Sequence, residues 1–208
     1  MPHQGQPVLA AGKSLDQAHA AVIAVHGRGA SAADILTVAT ALERPNFAYL
    51  APQAEASAWY PYGFMAPVEQ NEPWLSDALA LLGRLVAQVA DAGVPPERLV
   101  LLGFSQGACL ALEYAARNAR RYGAIAGLSG GLIGPDGIGL DHDGLLAGTP
   151  VFLGCSDVDP HIPKRRVEET RAALERQQAQ VTMRLYAGMG HEVNDDELEN
   201  VRRLMDAL

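Results

Sequence analysis

Short runs of apolar residues alternate along the chain with longer stretches in which apolar positions recur every three or four residues. The short runs at 21–25, 47–51, 99–103, 123–128, 151–154 and 181–186 are nearly continuous in apolar residues, the pattern of strands buried on both faces. Residues 7–10 supply a further strand candidate. The longer stretches predict helices over 34–42, 72–91, 106–118, 163–178 and 195–208. In the second of these, Leu75, Ala78, Leu79, Leu82, Val86 and Val89 share one face, Asn71 is available as a cap, and Gly93 and Pro95 are stop signals. The last puts Leu198, Val201, Met205 and Leu208 on one stripe. Strands and helices alternating in this way predict an α/β fold, a doubly wound and mostly parallel sheet with helices on both faces. Two loop segments interrupt it, 54–70 and 134–149, the second holding five glycines and three aspartates. Loops leaving the carboxyl ends of strands build the sites of such sheets, so specificity is sought there.

At 208 residues and 49% hydrophobic, the chain suffices for one well-buried core, and residues 1–208 are expected to form a single domain. With 24 acidic against 16 basic residues the formal charge is −8, which argues against nucleic acid or an anionic membrane surface as a partner. No run of 18 apolar residues suggests integral membrane association, and residues 1–13 lack a basic segment followed by an apolar one. Cys109 and Cys155 form neither a disulfide framework nor a CxxC pair, so a reducing, cytoplasmic setting is expected.

Gly103-Phe104-Ser105-Gln106-Gly107 fits G-x-S-x-G between an apolar strand and a helix. A sharp strand-to-helix turn holds such a serine in a strained backbone conformation and exposes its hydroxyl. Ser105 is therefore the candidate nucleophile. A serine hydroxyl needs an imidazole base oriented by a carboxylate. His191, in Gly188-Met189-Gly190-His191 after the last strand, is the candidate base. Cys155-Ser156-Asp157-Val158-Asp159-Pro160 offers two aspartates at a strand mouth, and spacing does not choose between them. Oxyanion donors are expected from the Gln106 amide and from His26-Gly27-Arg28-Gly29, with His26 a structural brace rather than a base. No phosphate-binding glycine motif occurs, and Asp141, His142, Asp143 and His161 lack the spacing of metal ligands, so no cofactor or metal is expected.

With Asp159-Pro160-His161-Ile162-Pro163, these motifs resemble those of the phospholipase/carboxylesterase family, which includes acyl-protein thioesterases and bacterial carboxylesterases. The resemblance runs from about residue 20 to the end. It implies an α/β-hydrolase fold without a large cap domain, Asp159 rather than Asp157 as the orienting carboxylate, and the amides of Arg28 and Gln106 as oxyanion donors. It also implies a possible homodimer. Where eukaryotic thioesterases often carry leucine, this chain has Arg28. Its side chain is either a surface group or a cation that attracts a carboxylate or phosphate on the substrate.

Four of the chain's twelve aromatic residues, Trp59, Tyr60, Tyr62 and Phe64, fall within Trp59-Tyr60-Pro61-Tyr62-Gly63-Phe64-Met65. With Trp74 they are expected to wall a substrate pocket. The function these features imply is a serine hydrolase, a carboxylesterase or thioesterase, cleaving a small-molecule ester or thioester of short to medium chain through an acyl-enzyme. Rival activities are a lysophospholipase and a dienelactone-type hydrolase, which usually uses cysteine. The rival of another class is a catalytically silent ligand-binding protein on the same fold.

Overall fold

A computed structural model describes residues 1–208. Seven strands form one sheet: β1 (Val8–Gly12), β2 (Ala20–Val25), β3 (Phe47–Pro52), β4 (Leu99–Phe104), β5 (Ala124–Leu128), β6 (Pro150–Ser156) and β7 (Gln180–Tyr186). Their order is β1-β3-β2-β4-β5-β6-β7, and only the edge strand β1 runs antiparallel to its neighbour. The chain moves from β2 to β3 in one direction and returns across β2 to β4 in the other. Between the carboxyl ends of β2 and β4 the connections diverge, leaving the crevice in which α/β sheets bind ligands.

Five helices cover the sheet: α1 (Ala32–Thr40), α2 (Trp74–Asp91), α3 (Gln106–Arg117), α4 (Lys164–Arg176) and α5 (Asp195–Met205). Strand alternation sorts the core into two layers. In β2, Ala21, Ile23 and Val25 join the layer under α2, α3 and α4, while Ala20, Val22 and Ala24 join the layer under α1 and α5. The first layer has 39 buried residues and the second 18, so the three-helix face carries most of the core. The Leu75, Ala78, Leu82, Val86 and Val89 stripe of α2 is buried as its periodicity predicts.

Helix starts depart from the sequence expectation for local reasons. Ser31 and Asp34 form a capping box, so α1 begins at Ala32 rather than at 34. Helix α2 begins after Pro73, because a residue preceding proline is driven out of the helical region, and Glu72 is extended at φ −84° and ψ 150°. Asn71 is not its cap. The Glu72 carboxylate instead accepts from the Ser76 amide and hydroxyl at 3.0 and 2.7 Å. Strand β6 runs to Ser156, two residues past the predicted end, and carries the chain directly to Asp157.

Candidate active site

Strand β4 and helix α3 are joined by Ser105 alone, with φ 56° and ψ −123°. This left-handed backbone is costly for a residue with a side chain, and the surroundings hold it there. The Ser105 amide donates to the Leu128 carbonyl at the end of β5 at 2.9 Å, and its carbonyl accepts from Cys109 in the first turn of α3 at 3.0 Å. A methyl at Gly103 would overlap the Gly107 carbonyl, and one at Gly107 would overlap the carbonyls of Val25 and His26. Both glycines are thus fixed by close backbone approach, which seats α3 against β2 and turns the hydroxyl outward.

His191 Nε2 lies 2.8 Å from Ser105 Oγ, and His191 Nδ1 lies 2.7 Å from Asp159 Oδ2. The other Asp159 oxygen accepts from the amides of His161 and Ile162 at 2.8 and 3.0 Å. Burial pushes the Asp159 carboxyl pKa up, but the hydrogen bond from His191 and the two amides outweigh it and hold the group below its usual value. The carboxylate is ionised and accepts only, so the ring proton sits on Nδ1 and the Nε2 lone pair faces the serine hydroxyl. The imidazole packs against Phe104 and His161, with ring centroids 5.0 and 4.8 Å away. Asp157, the other aspartate of this loop, accepts from the Gly188 amide at 2.8 Å, and Ser156 donates to the Met189 carbonyl. These contacts tie the loop after β7, which carries His191, to the end of β6.

The loop after β2 faces the serine from the other side of the crevice. Gly27 packs on it, leaving a methyl there only 3.2 Å from Ser105 Cβ. The Arg28 amide has no acceptor in the protein, and the Gln106 amide, at the first position of α3, has no intrahelical one. His26 is fully buried. Its Nδ1 donates to the Gly27 carbonyl at 2.7 Å and its Nε2 accepts from the Ala54 amide at 3.1 Å. Burial lowers its pKa, so it is a neutral brace holding the loop's path.

A cavity of about 290 Å³ opens over Ser105 and His191, with Tyr60, Tyr62 and Phe64 in its wall and Cys109 in its floor. Two aromatic residues expected in this wall lie elsewhere. Trp59 is fully buried with its ring on His26, 4.9 Å away, and its Nε1 donates to the His26 carbonyl at 2.8 Å. Trp74 packs against His3, ring centroids 5.5 Å apart. Both aromatic rings are spent on bracing the loops behind the site. The 134–149 segment also lies outside the cavity, and its 137–141 stretch borders a separate concavity beside α4. It is tied to the wall by the Gly134 amide, which donates to the Phe64 carbonyl at 2.9 Å, and through Arg166, which lies over the Phe64 ring and donates to the Gly134 carbonyl.

The aromatic wall is pinned by three side chains. The Arg28 guanidinium donates to the carbonyls of Tyr60, Pro61 and Tyr62 at 2.7–3.0 Å. Gln106 accepts from the Trp59 amide and donates to the Tyr60 carbonyl, both at 2.9 Å. Buried Asn71 accepts from the Tyr62 amide at 2.9 Å and donates to the Gly63 carbonyl at 3.1 Å. Sequence reasoning placed the Arg28 and Gln106 amides at the oxyanion position, read the Arg28 side chain as either a surface group or a substrate-facing cation, and took Asn71 for a helix cap, so none of the three was expected to pin the wall. The Gln106 side chain had a signal, its place directly after Ser105 in the G-x-S-x-G motif, whereas Asn71 had none. His161, Ile162 and Cys109 also line the cavity without having been singled out as pocket residues. No cluster of three or more His, Cys, Asp or Glu side chains is arranged to hold a metal ion, and no helix is long and apolar enough to cross a membrane.

The family model for Phospholipase/Carboxylesterase matches residues 8–208. The chain belongs to this family. A phospholipase/carboxylesterase from Dyadobacter fermentans is 43% identical to it, with a TM-score of 0.93 over 99% of this chain and 98% of that one. The acyl-protein thioesterase 1 of Yarrowia lipolytica is 28% identical over 201 residues, covering 88% of each chain. That of Saccharomyces cerevisiae is 30% identical over 131 residues, and the match spans 60% of this chain and 56% of the yeast protein. Like other members of the phospholipase/carboxylesterase family, the chain is a serine hydrolase of esters or thioesters built on the α/β-hydrolase fold.

Proposed function

We propose that Ser105, His191 and Asp159 are the catalytic triad of an esterase or thioesterase acting on short- to medium-chain acyl groups. The observation that carries this is the continuous hydrogen-bond chain from Ser105 Oγ through His191 to the buried Asp159 carboxylate. Ser105 Oγ attacks the acyl carbonyl as His191 Nε2 takes its proton, and Asp159 stabilises the imidazolium without accepting that proton. The amides of Arg28 and Gln106 receive the negative charge on the carbonyl oxygen, and the loss of one such donor typically costs about 10²–10³ in turnover. His191 then protonates the leaving alcohol or thiol, and the acyl group stays on Ser105. Water, deprotonated by His191, attacks the acyl-enzyme and releases the acid.

The acyl-length assignment rests on a cavity of about 290 Å³, at the small end of ligand pockets. The protein as a whole is proposed as a single domain, residues 1–208, with a small-molecule substrate. A cytoplasmic setting accords with Cys109 and Cys155, both buried and free. The homodimer implied by family resemblance is read by light scattering. The test of the function is hydrolysis of p-nitrophenyl esters from C2 to C16, alongside an acyl-thioester series and Ser105→Ala. An optimum at short to medium length that vanishes in the variant supports the assignment; rates rising steadily to C16 overturn the length, and activity surviving in a folded Ser105→Ala overturns the nucleophile.

A further inference from the structure

The lining of the active-site cavity departs from the rest of the molecule in charge. The chain carries 24 acidic and 16 basic residues, yet no aspartate or glutamate lines the cavity over Ser105, and Arg28 does. The Arg28 guanidinium has no carboxylate partner; its bonds go to the neutral carbonyls of Tyr60, Pro61 and Tyr62. Those three bonds use three of the five N–H donors of a guanidinium, so the group is held in place with donors to spare and its charge unpaired. The Asp159 carboxylate does not compensate it. That group lies behind His191, and its oxygens are occupied by His191 and the amides of His161 and Ile162.

Tyr60 lines the same cavity, but its hydroxyl has no accessible surface and faces the buried Cys109 thiol, so it offers a ligand nothing. Arg28 thus offers a fixed, unpaired cation at the cavity that holds Ser105, and an anionic group on the substrate would pair it.

We infer that this enzyme selects substrates whose acyl portion ends in a carboxylate, half-esters or half-thioesters of dicarboxylic acids, which the Arg28 guanidinium recognises while Ser105 attacks the other end. The inference rests on the proposed hydrolase function and adds the substrate class. It turns the small cavity from a pocket for a truncated fatty chain into one for a short, polar acyl group. It also makes Arg28 serve twice, its amide at the oxyanion and its side chain at the acyl terminus.

The test compares two chromogenic esters with the same leaving group and nearly the same length, mono-p-nitrophenyl adipate and the p-nitrophenyl ester of adipic acid monoamide. The quantity read is the ratio of their kcat/KM values, which cancels any general damage to catalysis. The wild type is expected to favour the anionic ester by about tenfold or more, as a charge-assisted hydrogen bond supplies. That preference should shrink in 0.5 M NaCl, because screening weakens an exposed charge. Arg28→Gln should bring the ratio near one, and Arg28→Lys, which keeps the cation, should keep most of it.

A wild-type ratio at or below one, or a ratio unchanged by Arg28→Gln, would overturn the inference while leaving the hydrolase intact. A preference abolished as completely by Arg28→Lys as by Arg28→Gln would also overturn it, by showing that shape rather than charge is read. If neither these esters nor the neutral ester series is hydrolysed, the hydrolase function fails and this inference with it.

Discussion

Asp157 Oδ1 accepts a 2.8 Å hydrogen bond from the Gly188 amide, so the loop after β6 grips the loop that carries His191. The two aspartates of that first loop therefore divide one task. Asp157 holds the histidine's loop, and Asp159 holds its ring.

The division predicts unequal losses. Asp159→Asn presents an amide that donates where the carboxylate accepts, which favours the wrong imidazole tautomer, and kcat should fall by about 10⁴. Asp157→Asn keeps an acceptor oxygen for Gly188 and should cost only severalfold. The two kcat values on a p-nitrophenyl ester decide it, and equal losses would contradict the assignment.

Backbone strain at Ser105 gives a second prediction. With φ at 56°, glycine fits this position better than any residue with a Cβ. Ser105→Gly and Ser105→Ala both remove the hydroxyl, but the glycine variant should be more stable in urea by about 1 kcal/mol. Equal midpoints would show that the elbow stores no strain.

Asn71 should prove a positioning residue for the aromatic wall. Truncation to alanine leaves the Tyr62 amide and Gly63 carbonyl without their partner, at about 1–3 kcal/mol for a buried unpaired group. Because these groups shape the wall and not the serine, KM should rise more than kcat falls. Steady-state kinetics with a short ester separate the two, and a fall in kcat alone would contradict the role.

Glu197 predicts the pH dependence of stability. Its side chain caps its own helix by accepting from the Asn194 amide at 3.0 Å, and its other oxygen is buried without a partner. Burial is the main cause that pushes its pKa up to about 7, above an ordinary glutamate. The folded state then binds a proton that the unfolded state has already released, so stability falls as pH rises from about 4.5 to 7, by up to ~1.4 kcal/mol per pH unit. Asp159 acts with the opposite sign, its stabilisation being lost as pH falls through its lowered pKa. Glu197→Gln should flatten the decline between pH 5 and 8 in urea unfolding, and an unchanged slope would contradict this origin.

The sheet was legible because buried parallel strands need apolar runs and the helices between them need a period of 3.6, and both patterns lie in the order of residues. Ser105 and His191 were legible because their loops carry glycines at the ends of recognisable strands. Asp159 was separated from Asp157 only by resemblance, since both stand at the same strand mouth and the hydrogen-bond partner alone tells them apart. The wall was half legible. An aromatic-rich loop announces a hydrophobic surface, but irregular backbone gives no periodicity from which to read direction, so the inward turn of Trp59 toward His26 was invisible, and Trp74, at the first position of α2, packs on the sequence-distant His3. The Arg28 and Asn71 contacts join residues 8 to 34 positions apart and follow from the folded path alone.

The central claim is that catalysis runs through an acyl group on Ser105. Rapid mixing with a p-nitrophenyl ester, acid quenching and peptide mass spectrometry test it directly. The account predicts a burst of about one p-nitrophenolate per active site, the acyl mass on the peptide containing Ser105, and neither in Ser105→Ala. Turnover with no burst and no adduct, or an adduct on another residue such as Cys109, would contradict it.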